Sequence, residues 1–285
     1  MTEKVMAIDA WGGAGLPATE WPEEFRSIFR RYGTLERLEN MPTVEETVAE
    51  MDEAGVEMVI LAGFQYPGIK TITIEEQAEL VERYPGRFVP MGTVDPRGKP
   101  MDVSRQIERM VKDFGIKGIR LEPYAYGDGM VGSPPNAKMY WPVYIKCVEL
   151  DIPVCLQVGH TGPLLPSEAG RPIYLDEVAL AFPELTILGC HLGQPWHEEM
   201  MILAWKHPNV YVETSARAPK RWPSSFVKFV KTWGQDKVIW GTDFPLLSFK
   251  RCIDEIEAMN LDYAVKSKLL RENALRAFKL ERKTS

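Results

Sequence analysis

The sequence has few cysteines, and no two of them are spaced as a metal-binding pair. Only four cysteines occur in 285 residues, they lie far apart, and no Cys-x-x-Cys motif is present. That spacing argues against a zinc knuckle. It is typical of small buried side chains in a reducing compartment. The four residues are Cys147, Cys155, Cys190 and Cys252.

Basic clusters and long apolar runs are also missing. The 34 lysines and arginines are outnumbered by 40 acidic residues, for a formal net charge of −6, and no basic block stands out. Nucleic acid is therefore not an expected partner. The apolar run at residues 5–8 is too short for a signal-peptide core or a membrane span. We expect a cytoplasmic protein that does not bind a membrane and acts on a small molecule.

Two common catalytic signatures are absent as well. The glycine-rich stretch that follows Trp11 is not a GxGxxG motif, and no strongly periodic helix follows it at once, which argues against phosphate binding. No GxSxG motif occurs, and Ser215 has no histidine or aspartate spaced as in a nucleophile motif. A serine hydrolase is therefore not expected.

The sequence does contain a regular alternation of strand and helix patterns. Eight short apolar runs begin near residues 5, 57, 87, 117, 153, 185, 210 and 238, and a helical pattern follows nearly every one. Alternation of this kind predicts parallel β/α units, and eight units suit a closed (β/α)8 TIM barrel. A doubly wound open sheet is the alternative, although it seldom uses eight near-equal units. With no linker or shift in composition, residues 1–285 are predicted to form a single α/β domain.

Three of the apolar runs end in side chains that can carry chemistry. The stretch 237–245 leaves its strand at Asp243, and two earlier runs end at His160 and His191. Active sites of parallel barrels are built at the carboxyl ends of strands, so we predict that these three residues are catalytic. Each has a plainer alternative, since an aspartate can cap a turn and a histidine can be a satisfied structural residue.

Four further charged side chains are candidates for the predicted site, with Arg120, Arg217 and Glu122 assigned to substrate binding. Arg120 lies on the fourth predicted strand and Arg217 follows the seventh, and a planar guanidinium suits a substrate carboxylate. Glu122 follows the same strand as Arg120, and Glu213 ends the seventh. Either glutamate could orient a histidine or pair with an arginine.

These motifs resemble those of the amidohydrolase superfamily, in its amidohydrolase-related (amidohydrolase 2) branch. That branch includes aminocarboxymuconate-semialdehyde decarboxylase-like enzymes and metal-independent dicarboxylate lactonases. The resemblance rests on Ile8-Asp9, Gly159-His160 and residues 190–193, 241–245 and 270–278. It implies a barrel with one metal, often zinc, held by a first-strand His-x-His pair, a fifth-strand histidine and an eighth-strand aspartate. In this chain Trp11 and Gly13 stand where that pair would be.

The missing pair leads us to expect a hydrolase without a tightly bound metal. Under this hypothesis Asp243 activates water against a small carboxylated lactone, ester or imide, and His160 and His191 stabilise the oxyanion. An arginine would hold the substrate carboxylate, and Trp11 with Tyr124 would suit a flat ring.

Other functions stay open on the sequence alone. The main alternative is a metal-dependent decarboxylase of a hydroxyaromatic or muconate-type acid, with His160, His191 and Asp243 holding one divalent metal such as zinc. A catalytically inactive barrel used for binding is the second alternative, and a hydratase or isomerase is a further possibility. Family habit suggests a homodimer.

Overall fold

The computed structural model describes residues 5–14, 21, 23–63, 72–127 and 131–281. Its strands are all parallel, and helices alternate with them around a (β/α)8 TIM barrel, as predicted. The strands are β1 (Ala7–Gly12), β2 (Val56–Leu61), β3 (Phe88–Val89), β4 (Gly92–Thr93), β5 (Ile119–Leu121), β6 (Val154–Gln157), β7 (Ile187–Cys190), β8 (Val210–Glu213) and β9 (Val238–Ile239).

Twelve α-helical segments are described, and the last two are joined by a π-helical turn at Lys268–Glu272. They are α1 (Glu23–Tyr32), α2 (Leu35–Glu39), α3 (Val44–Ala54), α4 (Ile74–Arg83), α5 (Pro100–Phe114), α6 (Trp141–Glu149), α7 (Tyr174–Ala181), α8 (His197–Lys206), α9 (Ser224–Lys231), α10 (Phe249–Glu257), α11 (Tyr263–Ser267) and α12 (Asn273–Ala277). None of the helices in the described ranges combines the length and apolar character needed to cross a membrane.

The third predicted strand is interrupted in the middle, which is why nine short strands form eight units. Pro90 has no backbone N–H to donate, and both backbone groups of Met91 bond to the Gln77 side chain of α4, at 2.9 and 3.1 Å. The strand therefore splits into β3 and β4. The ladder order is β1-β2-β3 in one sheet and β4 through β9 in the other.

The ring closes between the first and last strands. The Ala10 N–H donates to the Trp240 carbonyl at 3.0 Å, and the Asp243 N–H donates to the Trp11 carbonyl at 2.7 Å. These bonds leave no open sheet edge at the seam and bring the ends of β1 and β9 together. Strands β1 and β9 are therefore held to each other by backbone hydrogen bonds.

Helix boundaries follow the sequence signals closely where capping residues are present. Thr43 and Glu46 form a capping box at the start of α3, and Gly55 ends that helix with φ of 77°. Thr73 and Glu76 form a second capping box at α4. All four cysteines are buried and free, as predicted.

Candidate active site

The carboxyl ends of the strands open into a cavity of about 280 Å³. That volume is close to the lower end of the range for small-molecule pockets. Helices α1 and α2 lie against its other side. Six of the nine residues singled out for the site from the sequence line this cavity: Arg120, Tyr124, His160, His191, Arg217 and Asp243.

Backbone strain is concentrated around this cavity. His191, Leu192, Ala216 and Asp243 have φ between 57° and 64°, the left-handed region that L-residues seldom adopt. Only three other described non-glycine residues share it. Strained residues of this kind cluster at functional sites, where the surrounding structure holds them in place.

The predicted strands also end earlier than expected, because the chain turns before reaching His160, His191 and Asp243.

The hydrogen bonds of His160 determine which of its nitrogens carries the proton. Its Nδ1 lies 3.0 Å from the Thr161 carbonyl, which can only accept, and its Nε2 lies 2.9 Å from Nη2 of Arg217, which can only donate. Nδ1 is therefore protonated, and Nε2 accepts from the guanidinium. Burial and the charge of Arg217 lower the pKa of His160, which keeps the ring neutral.

His191 is held in the same tautomer by a different set of partners. Its Nδ1 lies 3.2 Å from the Ser215 carbonyl and 2.8 Å from Ser215 Oγ, which itself donates to Glu213 at 2.6 Å. The protonated Nδ1 therefore points at Ser215, and Nε2 remains as an acceptor. Burial and the two arginines hold the pKa of His191 well below its usual value, so the ring is a neutral base.

Glu213 is fully buried at the end of β8 and anchors this chain of hydrogen bonds. Both of its oxygens accept from Ser215, one from the backbone N–H and one from the hydroxyl, each at 2.6 Å. Burial raises the pKa of Glu213 to about 8, although the bonds from Ser215 oppose that shift. The glutamate thus fixes the orientation of His191 through Ser215, without lining the cavity itself.

Asp243 presents its carboxyl to the cavity from the turn after β9. Burial raises the pKa of this carboxyl, and the charges of Arg120 and Arg217 and the Trp11 indole oppose the rise. The preceding Thr242 is fixed by Asp9, which accepts from the Thr242 backbone N–H at 2.9 Å and from its hydroxyl. Burial thus makes this carboxyl a weaker acid than it is in water, and in its protonated form it can deliver a proton into the cavity.

Arg120 is supported from behind by two of the predicted residues. Its guanidinium forms an ion pair with the fully buried Glu122, and its Cζ lies 3.6 Å from the centroid of the Trp11 ring. Trp11 is only 2% exposed and also contacts His191 edge-on at 5.2 Å. The structure therefore places Trp11 behind the cavity wall, where it holds Arg120, and not at the position of direct substrate contact that the sequence suggested. Glu122, which the sequence suggested as a substrate-binding residue and as a partner for an arginine, pairs with Arg120 and does not line the cavity.

Several residues of the site were not singled out from the sequence. Gln157, at the end of β6, lines the cavity and donates to the His160 carbonyl at 3.3 Å. Tyr32, at the end of α1, accepts from Nη1 of Arg217 at 2.6 Å and donates to the Ala216 carbonyl at 2.7 Å. The strand-end position of Gln157 was a usable signal. Nothing local in the sequence marks Tyr32, because its partners lie more than 180 residues away.

Comparison with known protein families assigns this barrel to one of them. The family described as amidohydrolase matches residues 24–280. The chain belongs to the amidohydrolase family. It is also 24% identical to a gamma-resorcylate decarboxylase from Polaromonas sp., across 94% of this chain and 93% of that protein. Membership of the family supports an enzyme.

Solved structures of related sequences share the fold of this amidohydrolase-family chain. An uncharacterized TIM-barrel protein from Bordetella bronchiseptica matches with a TM-score of 0.81 and 21% identity, over 96% of this chain and 98% of that one. The 5-carboxyvanillate decarboxylase of Novosphingobium aromaticivorans, complexed with manganese and 4-hydroxy-3-methoxy-5-nitrobenzoic acid, matches with a TM-score of 0.72 and 19% identity. It covers 97% of this chain and 96% of that one.

The prediction of a lactone, ester or imide hydrolase is wrong. The relative that aligns along nearly the whole chain is named a decarboxylase, and so is the manganese-bound structure. The site geometry also differs from what that prediction needed, because an oxyanion must be met by hydrogen-bond donors. His160 and His191 both keep their Nδ1 protons on protein oxygens, which leaves each Nε2 as an acceptor.

The described side chains of this site do not form a ligand set for a divalent metal ion. No group of three or more histidine, cysteine, aspartate or glutamate side chains within the described ranges could hold one. The Nε2 lone pair of His160 is taken by Arg217. A dication would also lie near the guanidinium charges of Arg120 and Arg217, both of which act on Asp243. The conditional prediction of His160, His191 and Asp243 as metal ligands thus gains no support from this arrangement.

Proposed function

We propose that the protein is a carboxy-lyase that removes CO₂ from a small hydroxylated aromatic or muconate-type acid. One observation carries the proposal: a carboxyl with a raised pKa, a neutral imidazole acceptor and two guanidinium groups meet in one small cavity. Decarboxylation replaces a carboxylate on carbon with a proton, so it needs a group that binds the acid and a group that supplies the proton. The decarboxylase named among the relatives supports this reaction class.

Each group has a defined part in the proposed reaction. The substrate carboxylate lies against Arg217 and Arg120, and a substrate hydroxyl donates to Nε2 of His191, which increases electron density on the carbon that bears the carboxylate. Asp243 then transfers its proton to that carbon. The carbon–carbon bond breaks, its electron pair returns to the conjugated system, and CO₂ leaves. The Asp243 carboxylate regains a proton from water, so each turnover consumes one proton and releases one CO₂.

The reaction itself provides the test. We expect the purified protein to release CO₂ from at least one acid in a panel that includes 2,6-dihydroxybenzoate, 5-carboxyvanillate and muconate-type acids. In D₂O, the product should carry deuterium at the carbon that lost the carboxylate, as mass spectrometry and proton NMR would show. Products that gain water and retain every carboxylate would contradict the proposal and indicate a hydratase.

Removal of metal gives a second expected result. Because the described side chains do not form a ligand set, protein purified without chelator should contain well below one equivalent of manganese or zinc by elemental analysis. Dialysis against EDTA should leave the rate of CO₂ release unchanged within about twofold, where loss of a catalytic metal would remove several kcal/mol of stabilisation. Near-stoichiometric metal whose removal stops turnover would contradict this expectation.

A further inference from the structure

The cavity has a polar side and an apolar side. The strand ends supply the charged and hydrogen-bonding groups described above. The opposite side also includes Arg31 and Tyr32 but is largely hydrocarbon, and we call its apolar part the apolar roof. It is formed by Phe25, Ile28, Phe29, Leu38, Met41 and Leu246.

The spacing of apolar and charged residues along α1 explains why this helix places hydrocarbon side chains over the cavity. Phe25 and Phe29 are buried one helical turn apart, whereas Glu23 and Arg30 are exposed on the outer face. Leu38 of α2 packs in the same apolar cluster as Phe29 and Leu246. The α1 part of the roof is therefore the inner face of an amphipathic helix, and that face lines the cavity.

Hydrogen bonds fix the roof relative to the charged groups. Arg31 donates to the Gly162 carbonyl at 2.5 Å, in the loop after β6. Tyr32 bonds to both Arg217 and the Ala216 carbonyl, in the loop after β8. These bonds hold the guanidinium of Arg217 and the helix of the apolar roof in fixed positions relative to each other. A molecule bound in the cavity would therefore contact both.

We propose that the substrate is an acid with a hydrocarbon portion at least one ring larger than a simple hydroxybenzoate, and that this portion lies under the apolar roof. The inference rests on the proposed function. The charge of Arg217 and Arg120 draws the carboxylate to the strand ends, so the rest of the molecule extends toward α1. An apolar cavity lining favours a ligand whose own apolar surface packs against it, because burial of apolar surface is the main favourable contribution.

Paired ligands test the proposal by isothermal titration calorimetry. 2-Hydroxybenzoate and 1-hydroxy-2-naphthoate carry the same hydroxy acid group, and the second adds one fused ring. The wild-type protein should bind the naphthoate about tenfold more tightly, as expected when one more ring is buried. Equal affinities, a preference for the smaller acid, or no binding of either acid would overturn the proposal.

Two variants of Ile28 locate the added ring. Threonine and valine have nearly the same shape, but threonine places a hydroxyl where valine has a methyl group. We expect Ile28→Val to keep most of the tenfold preference and Ile28→Thr to reduce it to about threefold or less. Glu23→Gln, on the outer face of α1, should match the wild type. A full preference in Ile28→Thr would place the ring elsewhere and overturn the proposal.

Binding and turnover separate this inference from the proposed function. A preference for the naphthoate with the expected Ile28 pattern, but no CO₂ release from any acid, would support the apolar roof and reject the carboxy-lyase. CO₂ release from small hydroxybenzoates without any preference for the larger acid would do the reverse. Arg217→Gln should weaken both ligands by a similar factor, because it acts on the carboxylate that they share.

Discussion

Asp243→Asn should reduce the rate of CO₂ release by about 10³-fold, in the middle of the range for loss of a general acid or base. The asparagine amide has nearly the same shape as the carboxyl but cannot deliver a proton. The effect should appear in kcat, with substrate affinity changed much less, because the proton is transferred only as the carbon–carbon bond is about to break. Steady-state rates and direct ligand titration on the same preparations would measure the two quantities.

Asparagine is the appropriate replacement because the backbone at this position is strained. Asp243 has φ of 64°, and asparagine tolerates the left-handed region better than alanine does. The backbone bond from the Asp243 N–H to the Trp11 carbonyl is independent of the side chain and should persist. The variant should therefore keep the wild-type melting temperature within a few degrees.

A matched control uses an aspartate far from the cavity. Asp262 is exposed, precedes α11 and makes no capping bond with its side chain, so Asp262→Asn should have wild-type kcat. If Asp243→Asn turned over at more than about a tenth of the wild-type rate, another group would have to donate the proton. Asp243 would then not be the general acid of the reaction.

The barrel was predictable because its signals are local and repeated. Strand and helix patterns alternate along the whole chain, and capping residues such as Thr43 and Gly55 mark helix ends without help from distant residues. The general position of the site followed from the same pattern, since the carboxyl ends of parallel strands meet on one side of the barrel. His160, His191 and Asp243 line one cavity for this reason.

The roles of those residues depended on partners that the sequence does not bring together. The protonated nitrogen of His160 is set partly by Arg217, 57 residues away, and that of His191 by Ser215, 24 residues away. Without these contacts, histidines at strand ends suited oxyanion stabilisation as well as acceptance of a proton. The same residue types serve a hydrolase or a lyase, and for this reason the hydrolase prediction failed although the location of the site was predicted.

The position of Trp11 shows a related difficulty. A tryptophan at the end of the first strand suggested a platform for a flat substrate. In the folded chain Arg120, from a strand far along the sequence, lies over that ring at 3.6 Å. Packing between side chains of distant strands therefore determines that Trp11 contacts Arg120 and does not line the cavity. The break at Pro90 is similar, because the third strand is interrupted partly by the side chain of Gln77 from a neighbouring helix.

Arg217→Gln should reduce kcat/KM by about 10²- to 10³-fold, as expected when one member of a partly buried, charge-assisted hydrogen-bond network is removed. Arg217 donates to His160 through Nη2 and to Tyr32 through Nη1, and its charge acts on Asp243. Glutamine removes the charge and the planar fork together. His160 would lose the donor that fixes its ring, and the substrate carboxylate would lose a counter-charge.

Arg217→Lys separates the charge from the geometry. Lysine keeps a positive charge but cannot reach two partners with one rigid fork, so we expect an intermediate loss of about ten- to thirtyfold in kcat/KM. Tyr32→Phe removes only the hydroxyl that meets Nη1, and should cost several-fold. Arg221→Gln alters an exposed arginine in the next turn of the chain and should leave kcat/KM unchanged.

The order of these losses distinguishes two descriptions of the arginine. If Arg217 provides only charge, the lysine variant should match the wild type and Tyr32→Phe should have no effect. If the guanidinium fork also orients His160, and Tyr32 of α1 holds that fork in place, then Arg217→Lys and Tyr32→Phe should both lose activity. Arg217→Gln should then lose the most. Wild-type kcat/KM in Arg217→Gln, measured on protein with an unchanged melting temperature, would remove Arg217 from the site. Because Tyr32 belongs to the helix that carries the apolar roof, a loss in Tyr32→Phe would also show that α1 influences the charged side of the cavity and does more than cover it.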